Sequence, residues 1–241
     1  MEPLDDTDLL VKLGALNWDT ITAQLDDRGY ATTPAMLSPG QCKALASLYP
    51  MEKHFRSKVI MESHAFGRGE YQYFAYPLPP VVRSLRQHLY PRLVPIAQRW
   101  AGRLGSDETY PNDLNCFLAR CHRSGQIKPT PLILRYETDD YNRLHQDLYG
   151  EIAFPIQLTL CLSQPGDDFS GGEFLLTEQR PRTQTRADVI NLEQGEAVIF
   201  ATRYRPVKGV RAYYRVNHRH GVSRLRSGTR YSLGIIFHDA A

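Results

Sequence analysis

The spacing of hydrophobic and polar positions changes along the chain, from helical in the first hundred residues to alternating beyond residue 130. Leu, Ile and Ala recur at helical spacing through "DTITAQLDD". In "SPGQCKALASLY", Ser38 and Pro39 are typical of a helix N-cap and the first residue after it. A strand in "GYATTPAML" should separate these two helices, and "SKVIMESHAFGRGEYQYFAY" predicts a hairpin or a flexible loop.

Two further segments have helical periodicity. "PLPPVVRSLRQHLYPRLVPIAQRWAGRLG" predicts a long helix that Pro91 and Pro95 should kink or split, because proline lacks the N–H that a helix interior needs. "PNDLNCFLARCHR" predicts another helix. We therefore expect residues 1–129 to form a mainly helical N-terminal part that packs on the rest of the protein.

Beyond "SGQIKPT" the pattern is that of short strands separated by glycine and proline. We predict strands in "PLILRYE", "FPIQLTLCLS", "GGEFLLTE", "DVINLEQGEAVIFAT", "HGVSRL" and "TRYSLGIIFH". Short strands without intervening helices indicate an antiparallel sandwich or barrel. The expected fold class is mainly β with α, in which residues 130–241 form the β core and the whole chain is one structural unit.

One predicted strand has two chemically different faces. In "IQLTLCLS" the apolar face carries Ile156, Leu158, Leu160 and Leu162, and the other face carries Gln157, Thr159 and Cys161. The second face is either solvated or, in a small barrel, directed at an internal polar site.

Composition narrows the class of protein. A chain of 241 residues with 42% hydrophobic content can bury a substantial core. Its four cysteines include no C-x-x-C pair, which disfavours a disulfide framework or a zinc cluster and favours reduced, mostly buried thiols. The acidic start "MEPLDDTDLL" has no basic n-region, and no apolar run is long enough to cross a bilayer. We expect a soluble cytoplasmic protein without a membrane partner.

Charge is distributed unevenly along the chain. The net charge is +3, but residues 197–238 hold nine Lys and Arg and no Asp or Glu. The rest of the chain then has 20 Lys and Arg against 26 Asp and Glu. A basic segment of this kind can attract a polyanion, or it can be a solvated face that pairs with the acidic half.

The strongest chemical signal is His145 and Asp147, which point to the same side of an extended strand and can bind one ion together. Alone, the pair could also be two residues of a turn that make ordinary hydrogen bonds. His218 and His220 are candidates for a third ligand. Two histidines and one carboxylate form the facial triad of non-haem Fe(II) oxygenases, although zinc hydrolases can use similar ligands. Arg230 could grip the carboxylate of a 2-oxoacid, for which a hydrolase has no evident need.

With these residues the chain resembles the Fe(II)/2-oxoglutarate-dependent dioxygenases, and it is most similar to their prolyl 4-hydroxylase-like branch. The matching segments span roughly residues 130–238: "RYETDDYNRLHQD", with Tyr136 nine residues before His145, "SGGEF" after "TLCLS", "EQGEAVIF" and "HGVSRLRSGTR". The resemblance implies a double-stranded β-helix (jelly-roll) core with flanking N-terminal helices. The acidic "ETDD" departs from the glycine turn usual at that place, and Arg230 stands where prolyl hydroxylases often have lysine.

The resemblance also implies roles for individual residues. His145, Asp147 and His220 would bind Fe(II), and Arg230 would bind the C5 carboxylate of 2-oxoglutarate. His218 lacks the family's flanking residues and is expected behind the ligands or at the surface. The remaining implied cosubstrate contacts are Tyr136, Gln157, Thr159 and Cys161. The cosubstrate would chelate iron through its C1 carboxylate and keto oxygen and leave one place for O₂. Ascorbate is a possible stimulant of the reaction.

The sequence leaves the substrate open. The first hypothesis is hydroxylation of a protein or amino-acid residue such as proline. The second is oxidative demethylation of alkylated nucleic acid, since "EYQYFAYP" could stack on a base and the basic segment could bind phosphates. Its candidate polyanion contacts are Arg203, Arg205, Lys208, Arg211, Arg219, Arg224 and Arg226, and Arg215 lies in the same segment.

Two observations bear on these hypotheses. DNA-dealkylating relatives place a second arginine on the last strand, and "YSLGIIFHDAA" has none. A non-catalytic metal-binding scaffold is a further alternative, which the complete triad and Arg230 disfavour. Gly67 and Gly69 could hinge a lid over the site, or they could form an ordinary solvated turn.

Overall fold

Five helices precede residue 124 in the computed structural model, which describes residues 6–241. They are α1 (Asp6–Ala15), α2 (Trp18–Arg28), α3 (Pro39–Ala46), α4 (Pro80–Arg103) and α5 (Leu114–Arg123). The Ser38–Pro39 start of α3 is confirmed, and Ser38 and Gln41 form a capping box there. Residues 1–5 of the expected N-terminal part lie outside the described residues.

The two prolines of α4 do not split it. Pro91 and Pro95 lie inside one continuous helix of 24 residues. Leu89, Leu93 and Trp100 of this helix are buried in the main core. Packing of this kind offsets the hydrogen bonds that the prolines cannot make.

Fourteen strands follow or interrupt these helices within the described residues. They are β1 (Tyr30–Thr33), β2 (Phe55–Ile60), β3 (Gly67–Arg68), β4 (Glu70–Phe74), β5 (Leu132–Glu137), β6 (Tyr141–His145), β7 (Ile156–Cys161), β8 (Phe169–Gly171), β9 (Phe174–Gln179), β10 (Arg186–Ile190), β11 (Ala197–Ala201), β12 (Tyr204–Lys208), β13 (Tyr213–Val222) and β14 (Leu225–Ile235). No helix follows α5 in this part of the chain, so the β prediction for the C-terminal half is confirmed.

The strands form two antiparallel sheets. The larger has the order β1-β11-β7-β14-β5-β4-β2, with β8 paired to β14, and the smaller has the order β10-β9-β13-β6-β3, with β12 paired to β13. The expected mainly β fold with a jelly-roll core is confirmed. The predicted hairpin is also present, as β2 and β4. Strands β1 to β4 come from the N-terminal part, which therefore contributes to both sheets as well as supplying helices.

Several strand boundaries differ from the sequence prediction. "DVINLEQGEAVIFAT" forms two strands, β10 and β11, which lie in different sheets. "HGVSRL" is divided by a turn at residues 223 and 224, so its halves belong to β13 and β14. Strands β8 and β12 were not predicted, and of β6 only the extended stretch at His145 was expected. β6 pairs with β13 and β8 with β14, both distant in sequence, and local periodicity does not report such pairing. β12 forms a hairpin with the adjacent β13.

The two faces of β7 confirm the predicted alternation. Ile156, Leu158, Leu160 and Leu162 belong to the main core, which also contains the buried side of α4. Cys161 belongs to a second core that includes residues from both sheets. All four cysteines are free thiols, of which Cys42, Cys121 and Cys161 are buried. None of the helices in residues 6–241 has the length and apolarity of a bilayer-spanning segment.

Candidate metal centre

The smaller sheet brings the two candidate histidine ligands together. His145 is the last residue of β6, and His220 on β13 is its direct partner in the strand register. Their ring centroids are 4.2 Å apart. Asp147 follows β6 by two residues, so one short segment supplies two of the three groups.

The donor atoms fit a single divalent ion. Nε2 of His145 lies 3.5 Å from Oδ1 of Asp147, and Nε2 of His220 lies 3.2 Å from Oδ2. Neighbouring ligands of an octahedral ion at ~2.1 Å are separated by about 3 Å. Two imidazoles and a carboxylate on one side of an ion are the ligands typical of Fe(II) in oxygenases. We call these three residues the triad.

The surroundings of the triad favour an ionised Asp147 and a neutral His220. Nδ1 of His145 lies 2.7 Å from the carbonyl oxygen of Arg143 and must donate to it, which leaves the lone pair of Nε2 directed toward Asp147. Burial opposes ionisation of Asp147, but His220 and His145 outweigh it and hold the pKa of Asp147 well below its ordinary value. Burial, with the neighbouring His145, lowers the pKa of His220 and favours the neutral imidazole that binds metals. Burial would also lower the pKa of His145, but Asp147 raises it.

Asp147 is held by two further side chains. The hydroxyl of Tyr149 donates to Oδ1 at 2.7 Å, and the amide of Gln157 donates to Oδ2 at 3.0 Å. The hydroxyl of Tyr73 donates in turn to Tyr149 at 3.0 Å. Tyr149 was not among the predicted site residues, although its spacing of two residues from Asp147 repeats the spacing of Asp147 from His145.

A cavity of about 250 Å³ contains the triad in its wall. We call it the triad cavity. Its floor is formed by side chains on neighbouring strands of the larger sheet: Leu134 and Tyr136 on β5, Gln157 and Thr159 on β7, and Ser232 on β14. Gly234 lies opposite Thr159 in the register and lacks a side chain, which leaves room there. The polar face of β7 is therefore directed at an internal site.

Arg230 is buried on β14 directly opposite Tyr136. One guanidinium nitrogen donates to the hydroxyl of Ser232 at 3.1 Å. No carboxylate of the described residues lies within 4.0 Å of it, whereas the other two buried arginines, Arg86 and Arg205, pair with acids. A buried guanidinium without a counter-ion is costly. The position therefore favours an anionic ligand.

Arg230 and Cys161 line a separate cavity of about 320 Å³, which we call the Arg230 cavity. Phe174 lines both cavities, and Ser232 of the triad cavity lies in register with Cys161. The predicted cosubstrate residues are therefore divided. Tyr136, Gln157 and Thr159 line the triad cavity, whereas Cys161 and Arg230 line the Arg230 cavity.

One of the predicted polyanion contacts is wrong. Arg205 is buried, pairs with Glu178, and donates to Nε2 of His218 at 3.2 Å. Its counter-ion, Glu178, is itself buried on β9, so the ion pair places the guanidinium in the interior. His218 is also buried, which excludes the surface position and leaves the other expected position, behind the ligands.

The other basic candidates are exposed. Arg224 pairs with Asp139 at 3.2 Å, and Arg226 pairs with Glu173. The remaining cations have no carboxylate within 4.0 Å in the described part of the chain: Arg203, Lys208, Arg211, Arg215 and Arg219.

The segment around Gly67 is a wall of the triad cavity. Gly67 and Arg68 pair with Asn142 and Tyr141 of β6, and the N–H of Arg143 donates to the carbonyl of Phe66 at 2.8 Å. Gly67 has φ +144°, and a Cβ there would collide with the carbonyl oxygen of Tyr141. These bonds hold the segment against β6, which disfavours a free lid.

The chain is similar to known oxygenases. Residues 69–240 match the family Oxygenase-NA, described as "Oxygenase, catalysing oxidative methylation of damaged DNA". Two uncharacterised proteins from different strains of Mycobacterium tuberculosis are each 51% identical over 168 residues, which are 70% of this chain and 72% of theirs.

Solved structures share the fold at low sequence identity. A prolyl 4-hydroxylase of Pseudomonas putida has a TM-score of 0.52 at 12% identity, covering 93% of this chain and 99% of its own. A 2-oxoglutarate complex of a viral collagen prolyl hydroxylase from Paramecium Bursaria Chlorella virus-1 has a TM-score of 0.52 at 16% identity, with coverages of 88% and 96%. The α-ketoglutarate-dependent epimerase SnoN of nogalamycin biosynthesis has a TM-score of 0.56 at 15% identity, with coverages of 91% and 81%.

Proposed function

The chain belongs to the Oxygenase-NA family within the Fe(II)/2-oxoglutarate-dependent oxygenases, and we propose that it removes alkyl groups oxidatively from bases of single-stranded or locally opened nucleic acid. The family description, which refers to damaged DNA, supports this substrate class. Prolyl hydroxylases among the solved structures share the fold alone, since their identities are only 12–16%.

The observation that carries the substrate class is an exposed ring at the mouth of the triad cavity. Phe66 lines this cavity, yet 47% of its surface is exposed. It stacks on His64 with centroids 5.3 Å apart and an interplanar angle of 21°. An exposed aromatic ring beside a concave site can stack on a planar base that has left the helix.

In this proposal, His145, Asp147 and His220 hold Fe(II), which supplies oxygen activation when bound. Arg230 pairs with the C5 carboxylate of 2-oxoglutarate, and Tyr136, Gln157, Thr159 and Cys161 border the cosubstrate. Burial raises the pKa of Tyr136, which keeps its hydroxyl neutral. The mostly apolar walls exclude water and hold the alkyl carbon of the substrate near the triad.

The chemistry balances with O₂ and 2-oxoglutarate as co-reactants. One oxygen atom enters the C–H bond of an N-methyl group, and the other enters succinate as 2-oxoglutarate loses CO₂. The resulting N-hydroxymethyl group releases formaldehyde and restores the N–H of the base. The measurable products are therefore succinate and formaldehyde in equal amounts.

The test compares three substrates with Fe(II), 2-oxoglutarate and O₂: an N-methylated single-stranded oligonucleotide, its unmethylated counterpart and a proline-containing peptide. We expect formaldehyde from the methylated oligonucleotide only, and none with His145→Ala. A peptide that gains 16 Da while the oligonucleotide releases nothing would replace this proposal by protein hydroxylation. Absence of succinate with every substrate would instead favour a metal-binding scaffold.

A further inference from the structure

A groove adjoins the triad cavity, and Leu148 forms the wall between the two because it lines both. We call it the Tyr204 groove. It has a volume of about 250 Å³, and its walls come from α4, the segment before β7 and strands β12 and β13. Tyr110 lies in one wall, and Arg203, Tyr204 and Arg215 form the wall that carries the positive charge.

The two arginines of this groove are positioned by the tyrosine between them in the fold. The guanidinium carbon of Arg203 lies 4.4 Å from the centroid of the Tyr204 ring, and that of Arg215 lies 5.4 Å from it. These are cation–π distances, which fix the direction of two long side chains without neutralising them. Neither arginine has a carboxylate within 4.0 Å in residues 8–241.

Acidic residues of the groove reduce this positive charge only in part. Glu108 is engaged by Arg120. Glu151 is exposed and lies at the groove. Two unpaired guanidiniums therefore face one free carboxylate, so the groove favours an anionic ligand.

Strand β13 extends the basic side of the groove along the exposed face of the smaller sheet. Arg215, Asn217 and Arg219 occupy alternate positions and so share one face of the strand. The amide of Gln146, which lines the triad cavity, donates to Oδ1 of Asn217 at 2.7 Å. This face is opposite the one that carries His220, so the row of polar and basic side chains continues from the groove along the outer face of the sheet.

We propose that the Tyr204 groove and this face of β13 bind the phosphodiester backbone of the nucleotides that flank the target base. The inference rests on the proposed function and names the residues that recognise the strand. Of the basic segment, Arg203, Arg215 and Arg219 are assigned to the backbone, and the ion-paired Arg224 and Arg226 are not.

The test is binding of a fluorescent single-stranded oligonucleotide at several salt concentrations. We expect Arg203→Gln combined with Arg215→Gln to weaken binding about tenfold or more and to reduce the slope of log affinity against log salt by about 1.4, or 0.7 for each lost phosphate contact. The matched control, Arg224→Gln combined with Arg226→Gln, removes the same charge and should change the slope much less. Succinate formed without substrate should be unchanged in both variants, which shows that the triad is intact.

The outcomes separate this inference from the proposed function. If the wild-type protein does not bind the oligonucleotide, the nucleic-acid function fails. If it binds and dealkylates, but both double variants lose affinity equally, the function stands and the groove assignment is wrong. If an acidic peptide binds the wild type but not the Arg203→Gln, Arg215→Gln variant, while the oligonucleotide binds both proteins equally, the groove recognises protein.

Discussion

At the scale of single residues, the carboxylate of Asp147, a proposed metal ligand, is already held in position by the fold. Tyr149 and Gln157 each occupy one of its oxygens, and both histidines favour its ionised form. Supporting groups of this kind typically change metal affinity 10- to 100-fold. The strength of Fe(II) binding should therefore depend on a tyrosine that does not touch the ion.

Tyr149→Phe removes the hydrogen bond to Oδ1 of Asp147 and keeps the aromatic ring. We expect Fe(II) affinity to fall about tenfold, measured by anaerobic titration, with little change in the thermal unfolding temperature. Tyr73→Phe is the matched control, because it removes the bond to Tyr149 and leaves the one to Asp147 in place. Equal affinities of wild type and Tyr149→Phe would contradict a positioning role for the tyrosine.

The proposed binding of 2-oxoglutarate by Arg230 can be tested through thermal stability, without measuring catalysis. Because its guanidinium is buried without an acid, Arg230→Met should not destabilise the ligand-free protein. In the wild type with Fe(II) and no O₂, 2-oxoglutarate at 100 times its Kd should add about 2.7 kcal/mol to the free energy of unfolding. That corresponds to a rise of about 5–10 °C in Tm, which Arg230→Met should lose. Arg224→Met, at an exposed position, should keep the rise, and a rise retained in Arg230→Met would disprove the assignment.

At the scale of elements, the short pairing of β3 with β6 fixes one wall of the triad cavity behind His145. Gly67→Ala places a methyl group against the carbonyl of Tyr141 at a φ that side chains rarely adopt. We expect the free energy of unfolding to fall by about 2–3 kcal/mol. Chemical denaturation measures this change.

Gly102 is the matched control for this substitution. It lies inside α4, and a Cβ there meets no atom within 4 Å. Gly102→Ala should stabilise the protein by about 0.5–1 kcal/mol, since alanine is the better helix former. If Gly67→Ala is as stable as wild type, the segment of β3 is looser than its pairing indicates.

The elements also show why sequence patterns reach only part of the site. The alternation of Gln157, Thr159 and Cys161 is local, so it could be seen in the sequence and is present on β7. Arg205 looked like its basic neighbours, because its counter-ion Glu178 lies on another strand. Phe66 lies outside the resembling region and faces the triad only because β3 pairs with β6. Predictions fail where tertiary pairing decides the direction of a side chain.

At the scale of the whole molecule, the uneven charge of the sequence is partly neutralised by folding. Arg205, Arg224 and Arg226 find acids, while the β12–β13 hairpin and its groove keep cations that have none among the described residues. The count of basic residues in the sequence was therefore larger than the number of unpaired cations at the surface. It also gave no indication of where on the surface they lie. The unpaired cations that remain lie on the β12–β13 hairpin and in the Tyr204 groove, which shares Leu148 with the triad cavity.

The C-terminal end of the fold should make stability depend on pH. His238 is buried behind β14, and its Nδ1 accepts the N–H of Phe154 at 3.2 Å. Burial, with the nearby positive charge of Arg86, lowers the pKa of His238 to about 4. The imidazole of an unfolded chain titrates near 6.5. Between these values the unfolded chain binds a proton that the folded protein does not, so the free energy of unfolding falls as the pH falls.

Protonation of His238 alone should lower the free energy of unfolding by about 3 kcal/mol between pH 6.5 and pH 4. His238→Asn keeps an acceptor for Phe154 and cannot titrate, so its free energy of unfolding should fall less steeply over that range in denaturation at fixed pH values. Other acid-sensitive groups cancel in the difference between the two proteins. One example is Glu178, whose pKa Arg180 and Arg205 lower against the effect of burial. Parallel curves would mean that His238 is protonated as easily in the folded protein as in the unfolded chain, and that water reaches the end of β14.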